Sequence, residues 1–128
     1  MLELGKSKTR FGVCLLPTDL TLPPVDLARA VEARDLDMLF FAENSHVPVQ
    51  HSKNAYHRPE IVEPFARMHD SITALAAAAA VTKRILLGTG VCLLTERDPI
   101  TTAKSIASLD HISGGRVIFG IAGGWIKE

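Results

Sequence analysis

The chain has no excess of charge of either sign: 14 lysines and arginines stand against 14 aspartates and glutamates. A balanced chain without a local basic cluster has no field to recruit nucleic acid or an anionic membrane, so neither is an expected partner. Cysteine is scarce. Cys14 and Cys92 each sit in an apolar run with strand character, where a free thiol behaves as a small hydrophobe. Reduced thiols rather than a disulfide are expected, and with them a cytoplasmic protein. No apolar run reaches the roughly 18–20 residues that a bilayer span requires. The opening MLELGKSKTR has no apolar core of the kind a signal peptide carries. Glycine and proline, 9 and 7 of 128 residues, fall short of the excess that marks disordered or fibrous chains.

What is present is an apolar content of 47%, enough at this length for one globular domain with a buried core. Residues 1–10 read as a polar leader and residues 11–128 as the domain. Phe11–Leu16 and Met38–Ala42 are continuous apolar runs, as expected of strands covered on both faces. Between them, Pro23-Pro24 opens a helix whose Leu27, Ala28 and Val31 share one face. The polar stretch from Glu43 to Glu63 is long for a connection, and loops of that length are usually functional or mobile. Pro64–Val81 reads as one Ala-rich helix, suited to close packing on a sheet. A third strand opens at Ile85–Leu87. Asp98-Pro99 then caps and starts a helix, Ser113-Gly114-Gly115 ends it, and Arg116–Ile121 is the fourth strand. The order β-α-β-α-β-α-β predicts a parallel sheet with right-handed crossovers. An open doubly wound sheet and half of a (β/α)8 barrel both satisfy it.

In either architecture the residues just after each strand share one rim: Pro17 and Thr18; Glu43, Asn44 and His46; Thr89, Gly90 and Val91; Gly123, Gly124 and Trp125. His46, His51 and His57 have no helix or hairpin to fix them as metal ligands, so a solvated loop is expected and no metal site. Gly88-Thr89-Gly90 is neither a Walker loop nor a dinucleotide fingerprint, because the residues that would complete either are missing. Glycines at a strand end mark a bulge or a close backbone approach, and a flat ring is one thing that approaches so closely. Trp125 would shield such a ring or else serve as a core residue.

Two runs, LGTGVCLL and RDPITTAKSIASLDHISGGRVIFGIAGGW, together with FGVCLLP at the first strand and FFAENSHVP after the second, resemble the luciferase-like superfamily of flavin- and deazaflavin-dependent oxidoreductases and monooxygenases. The resemblance covers almost everything from Phe11 onward. It implies an α/β fold that is about the first half of a TIM (β/α)8 barrel, so that the chain is expected to be a truncated N-terminal portion. It further implies a planar ring at the C-terminal rim of the strands, the deazaflavin coenzyme F420 ahead of FMN. The chemistry implied is hydride transfer involving a small-molecule substrate or, in flavin members, oxygen activation.

By position, the resemblance gives catalytic roles to Glu43, orienting polar ring atoms or accepting a proton, and to His46, touching substrate. Thr89, Gly90, Val91, Gly123, Gly124 and Trp125 become the cofactor-binding set. In relatives a bulge at the third-strand end, in some with a non-prolyl cis bond, backs the ring; the matching bond here is Gly90–Val91. Three departures stand out. Asn44 replaces a histidine found in many relatives, and an amide is no base at neutral pH. Trp125 lies where some deazaflavin dehydrogenases carry a carboxylate, and Asp35 ends the first helix where glycine is common. A half barrel leaves the first and fourth strands with unpaired edges, so a homodimer or a missing C-terminal half is expected. The alternative to an enzyme is an inactive remnant or a self-associating half-barrel binding module.

Overall fold

The computed structural model describes residues 9–46 and 59–124. Its elements, in order, are β1 (Gly12–Leu15), α1 (Pro24–Ala33), β2 (Met38–Phe41), α2 (Pro59–Ala66), α3 (Ser71–Val81), β3 (Leu86–Leu93), a 3-10 turn at Leu94–Glu96, α4 (Pro99–Ser113) and β4 (Val117–Ala122). The three strand pairings are parallel, and the strands lie side by side in sequence order, β1-β2-β3-β4.

That order excludes the doubly wound alternative, in which strand order reverses and helices cover both faces. Here Leu27, Ala28 and Val31 of α1, Leu75, Ala78 and Ala79 of α3 and Leu109 of α4 join Leu39, Phe41 and Leu87 of the sheet in one core. These helices therefore cover the same face, as in an arc of a (β/α)8 barrel. On the opposite face Cys14, Phe40, Gly88 and Ile118 form a row across the register. A Cβ on Gly88 would lie 2.3 Å from the Phe40 ring, so this glycine is the space into which the ring lies.

Local chemistry explains the boundaries. Asp98 accepts from Thr101 N at 2.7 Å, Pro99 occupies the first turn, and Gly114 ends α4 at φ 74°, as the capping residues predict. Asp35 takes the left-handed position after α1, at φ 55°, with its carboxylate accepting from Arg84 Nη2 at 2.9 Å. The Glu32 carboxylate accepts from three successive backbone N–H groups, those of Lys83, Arg84 and Ile85. Burial would raise its pKa, but those bonds outweigh burial and hold it below the ordinary value. Arg116 caps the far end of α3, donating to Ala79 O at 3.2 Å and Thr82 O at 3.0 Å, carbonyls that a helix end leaves without partners.

One expectation needs correction. The Ala-rich helix is not continuous from Pro64 to Val81: α2 ends at Ala66 and α3 begins at Ser71. The break belongs to Asp70, whose carboxylate accepts from Thr73 N at 2.7 Å and makes it an N-cap. Before it, Met68 forms an antiparallel bridge with Thr18 and His69 N donates to Pro17 O at 2.7 Å. A straight helix would withhold those backbone groups from the β1 loop. The polar stretch from Glu43 likewise ends in helix, since α2 starts at Pro59.

Candidate active-site rim

The loops that follow β1, β2 and β3 meet the α2–α3 linker at the C-terminal end of the sheet, and side chains knit them together. Arg67 pairs with Asp19 across the β1 loop. Arg97, just before α4, places Nε 2.7 Å from Glu43 Oε1 and Nη2 2.8 Å from Glu43 Oε2, and it also pairs with Asp70. Glu43 accepts further bonds from the Ser71 hydroxyl and from Leu93 N. Its side chain is only 2% exposed, against 19% for Arg97. A carboxylate with this many donors has its lone pairs occupied. Glu43 is thus a brace between β2, α3 and β3.

This network sets the local electrostatics. Burial alone would raise the Asp70 pKa, but the Arg97 guanidinium and the Thr73 N–H and hydroxyl outweigh burial and hold it below the ordinary value. The bond to Glu43, followed by that to Asp70, raises Arg97 further above its already high range. Cys92 is wholly buried. Its thiol is pushed up to about 11 by burial first and by the Glu43 charge second, so at neutral pH it is neither nucleophile nor ligand.

Beside the brace lies a cavity of about 220 Å³ lined by Glu43, Asn44, Ser45, Met68, Asp70, Glu96 and Arg97. Asn44 is buried, and its Oδ1 has no hydrogen-bond partner among the described residues. The next residues form a chain of contacts. Ser45 Oγ stands 2.6 Å from Glu96 Oε2 and 2.7 Å from His46 Nδ1.

The proposed ring surface lies on β3 and β4. Thr89 is buried and donates through Oγ1 to Gly120 O at 2.8 Å. The register shifts between Thr89 and Cys92, and Gly90–Val91 is a non-prolyl cis bond, as the resemblance implied. Val91 is partly exposed there. Gly123 accepts from Thr95 Oγ1 at 3.0 Å, and a Cβ on it would meet nothing within 4 Å among the described residues. Gly124 takes φ 84°. Trp125, His51 and His57 lie outside the described residues, and among the described residues no group of acids, histidines and cysteines is placed to hold a metal ion.

Sequence reasoning missed Arg97, Asp70, Ser71, Ser45 and Glu96. A signal existed for Asp70, because Asp-Ser-Ile-Thr before an apolar run is an N-cap pattern. None existed for Arg97, whose partner Glu43 is 54 residues away.

A parallel α/β arc whose strand ends carry a glycine-lined surface and a braced polar cavity defines a barrel-type enzyme scaffold. The chain belongs to the luciferase-like monooxygenase family, whose model matches residues 19–128. It is 39% identical over 118 residues to the uncharacterized protein Rv0953c of Mycobacterium tuberculosis, a match covering 90% of this chain and 42% of that protein. Among solved structures it superposes on the coenzyme F420 dependent tetrahydromethanopterin reductase from Methanopyrus kandleri at a TM-score of 0.66 and 28% identity, covering 93% of this chain and 28% of that one. It also superposes on riboflavin lyase RcaE, solved with modified FMN and riboflavin, at 0.66 and 26% identity, covering 91% and 30%. The chain therefore spans less than half the length of these relatives. It has the architecture of a partial TIM barrel, and family members are flavin- or F420-dependent oxidoreductases and monooxygenases. Among the described residues no helix is long and apolar enough to cross a membrane.

Proposed function

We propose that this chain supplies the first part of an oxidoreductase barrel that binds the isoalloxazine or deazaflavin ring at the ends of β3 and β4, with F420 ahead of FMN. The observation that carries the reading is the glycine-lined rim. Side chains are missing at Gly123 and Gly124, where a Cβ would meet nothing closer than 3.5 Å among the described residues, while Val91 and Leu94 offer partly exposed apolar area on the neighbouring β3 and the turn after it. A flat ring packs against backbone only where no Cβ intervenes. The bound ring would supply two-electron chemistry, as hydride transfer with a small-molecule substrate or as oxygen activation.

The protein's own residues would hold the ring and shape its surroundings. Thr89, Gly90, Val91, Gly123 and Gly124 would form the support, with Trp125 as its cover. Glu43 has its carboxylate engaged by Arg97, Ser71 and Leu93, so it serves by fixing the loop that carries Asn44 and His46. His46 faces substrate in this reading. The outer edges of β1 and β4 have no partner among the described residues. The rest of the barrel would build there, from a second copy or from a C-terminal half.

Titrating the purified protein separately with F420 and FMN, and following ring fluorescence, tests the reading. Saturable binding of one ring is expected. The variant Gly123→Val should weaken it at least tenfold without loss of fold, because its Cβ enters open space. Binding of neither ring at high micromolar concentration would sink the enzyme reading for this chain. Sedimentation reports the assembly separately, and a cooperatively folding monomer at micromolar concentration counts against a homodimer.

A further inference from the structure

The Ser45 hydroxyl has one proton and two close neighbours. Glu96 Oε2 lies 2.6 Å away and also accepts from Ser45 N at 3.1 Å. A carboxylate accepts and does not donate. Two oxygens at 2.6 Å without a proton between them would repel, and that separation is the length of a charge-assisted O–H···O⁻ bond. The hydroxyl proton therefore points to Glu96. The Ser45 oxygen is left to accept, and His46 Nδ1, 2.7 Å from it, must carry a hydrogen. In a neutral imidazole only one nitrogen does. Nε2 is then the lone-pair nitrogen, on a side chain 67% exposed.

Ser45 and Glu96 also line the cavity that holds the unpartnered Asn44 Oδ1. Asn44 Oδ1 is thus an acceptor in the cavity without a donor among the described residues. His46, held by the two cavity-lining residues Ser45 and Glu96, adds Nε2 as a second acceptor on a largely exposed ring. The ionised side chains around it are Glu43, Asp70 and Glu96 against Arg97, and Arg97 is already engaged by two of those carboxylates. An anionic ligand would meet net negative charge there.

We propose that Ser45 and Glu96 are positioning residues that hold His46 as its Nδ1–H tautomer, and that the cavity consequently takes the hydroxyl or amine end of a neutral or cationic substrate and rejects carboxylates and phosphates. The inference deepens the substrate role given to His46 above and rests on that reading for its link to catalysis. Its test needs no cofactor, so it can fail or succeed apart from ring binding.

Long-range proton–nitrogen correlation spectra of the ¹⁵N-labelled protein, recorded above the ordinary imidazole titration range, distinguish the two tautomers. The His46 signals are assigned with His46→Gln. The native protein should show a protonated Nδ1 and a lone-pair Nε2. Ser45→Ala should raise the Nε2–H population several-fold, and Ser45→Thr, which restores the hydroxyl, should return it. Glu96→Leu should act like Ser45→Ala and keeps the test open if that variant misfolds. A dominant Nε2–H in the native protein, or no change in either variant, overturns the relay. For the ligand class the probes are cyclohexanol and cyclohexanecarboxylate. Saturable shifts of the His46 ring signals with the alcohol only are expected, and equal response to both, or response only to the acid, refutes the proposed preference.

Discussion

Replacing Arg97 with methionine removes the guanidinium from the brace while keeping much of its aliphatic length. The Glu43 carboxylate, 2% exposed, would then keep the bonds from the Ser71 hydroxyl and Leu93 N. Breaking a buried ion pair on one side costs about 3–5 kcal/mol, because the remaining charge stays desolvated. The lower end, about 3 kcal/mol, applies here, since those two donors persist and the adjoining cavity admits water. An unfolding entropy of about 2.1 cal/mol/K per residue gives about 0.27 kcal/mol/K for this length, hence a fall in Tm of about 11 °C. Urea unfolding followed by circular dichroism, with an unchanged slope, measures the loss. Arg97→Met/Glu43→Gln removes the stranded charge and should recover at least half of it. A single variant within about 1 kcal/mol of the native protein would refute the brace. So would a double variant as unstable as the sum of its parts.

Gly120→Ala places a Cβ 2.4 Å from the Thr89 backbone oxygen, so a loss of about 1–3 kcal/mol is expected from chemical denaturation, whereas Gly123→Ala should stay within about 0.5 kcal/mol. An aromatic disulfide reagent should label Cys14 rapidly in the native protein and Cys92 only after unfolding; equal native rates would contradict the burial of β3. The Cys92 pKa is raised from 9.0 to about 11. Its contribution to stability is therefore complete below the unfolded value and lost as pH climbs through that window, and Cys92→Ala should flatten this alkaline limb. Asp70 is shifted the other way, so its contribution is present above the ordinary carboxylate range and lost as pH falls below it. Asp70→Asn, still a good cap, should flatten the acid limb of the stability profile.

The strands were legible because each is an apolar run, but their coverage on both faces was not: Phe11 beside β1 is 66% exposed and Ile121 of β4 is 55% exposed. FGVCLL and MLFFA need no distant partner to be recognised, and the caps at Asp98 and Gly114 are local signals too. Order along the sheet is different. Nothing within a single strand says whether the next one lies to its left or right, and both architectures stayed open until the family's motifs were considered. The Ala-rich helix failed for a related reason. Helix propensity runs smoothly from Pro64 to Val81, but the backbone of Met68 and His69 is claimed by the β1 loop, some fifty residues away in the chain.

Glu43 shows where positional reasoning reaches its limit. A carboxylate at the end of a barrel strand is in the place where such enzymes keep their acids and bases, so a chemical role follows from position alone. Whether that carboxylate is free to take a proton depends on what it touches, and its main partner, Arg97, stands in a motif that reads only as the entry to α4. The same logic runs in reverse for Asn44 and Ser45. Neither carries acid–base chemistry, yet one leaves an acceptor unpaired in the cavity and the other decides which nitrogen of His46 bears the proton. The rim's reactivity is therefore set by pairs that join different loops. A substitution at Arg97 or Glu96, neither of which belongs to the proposed ring support, should alter the site as surely as one at the rim itself.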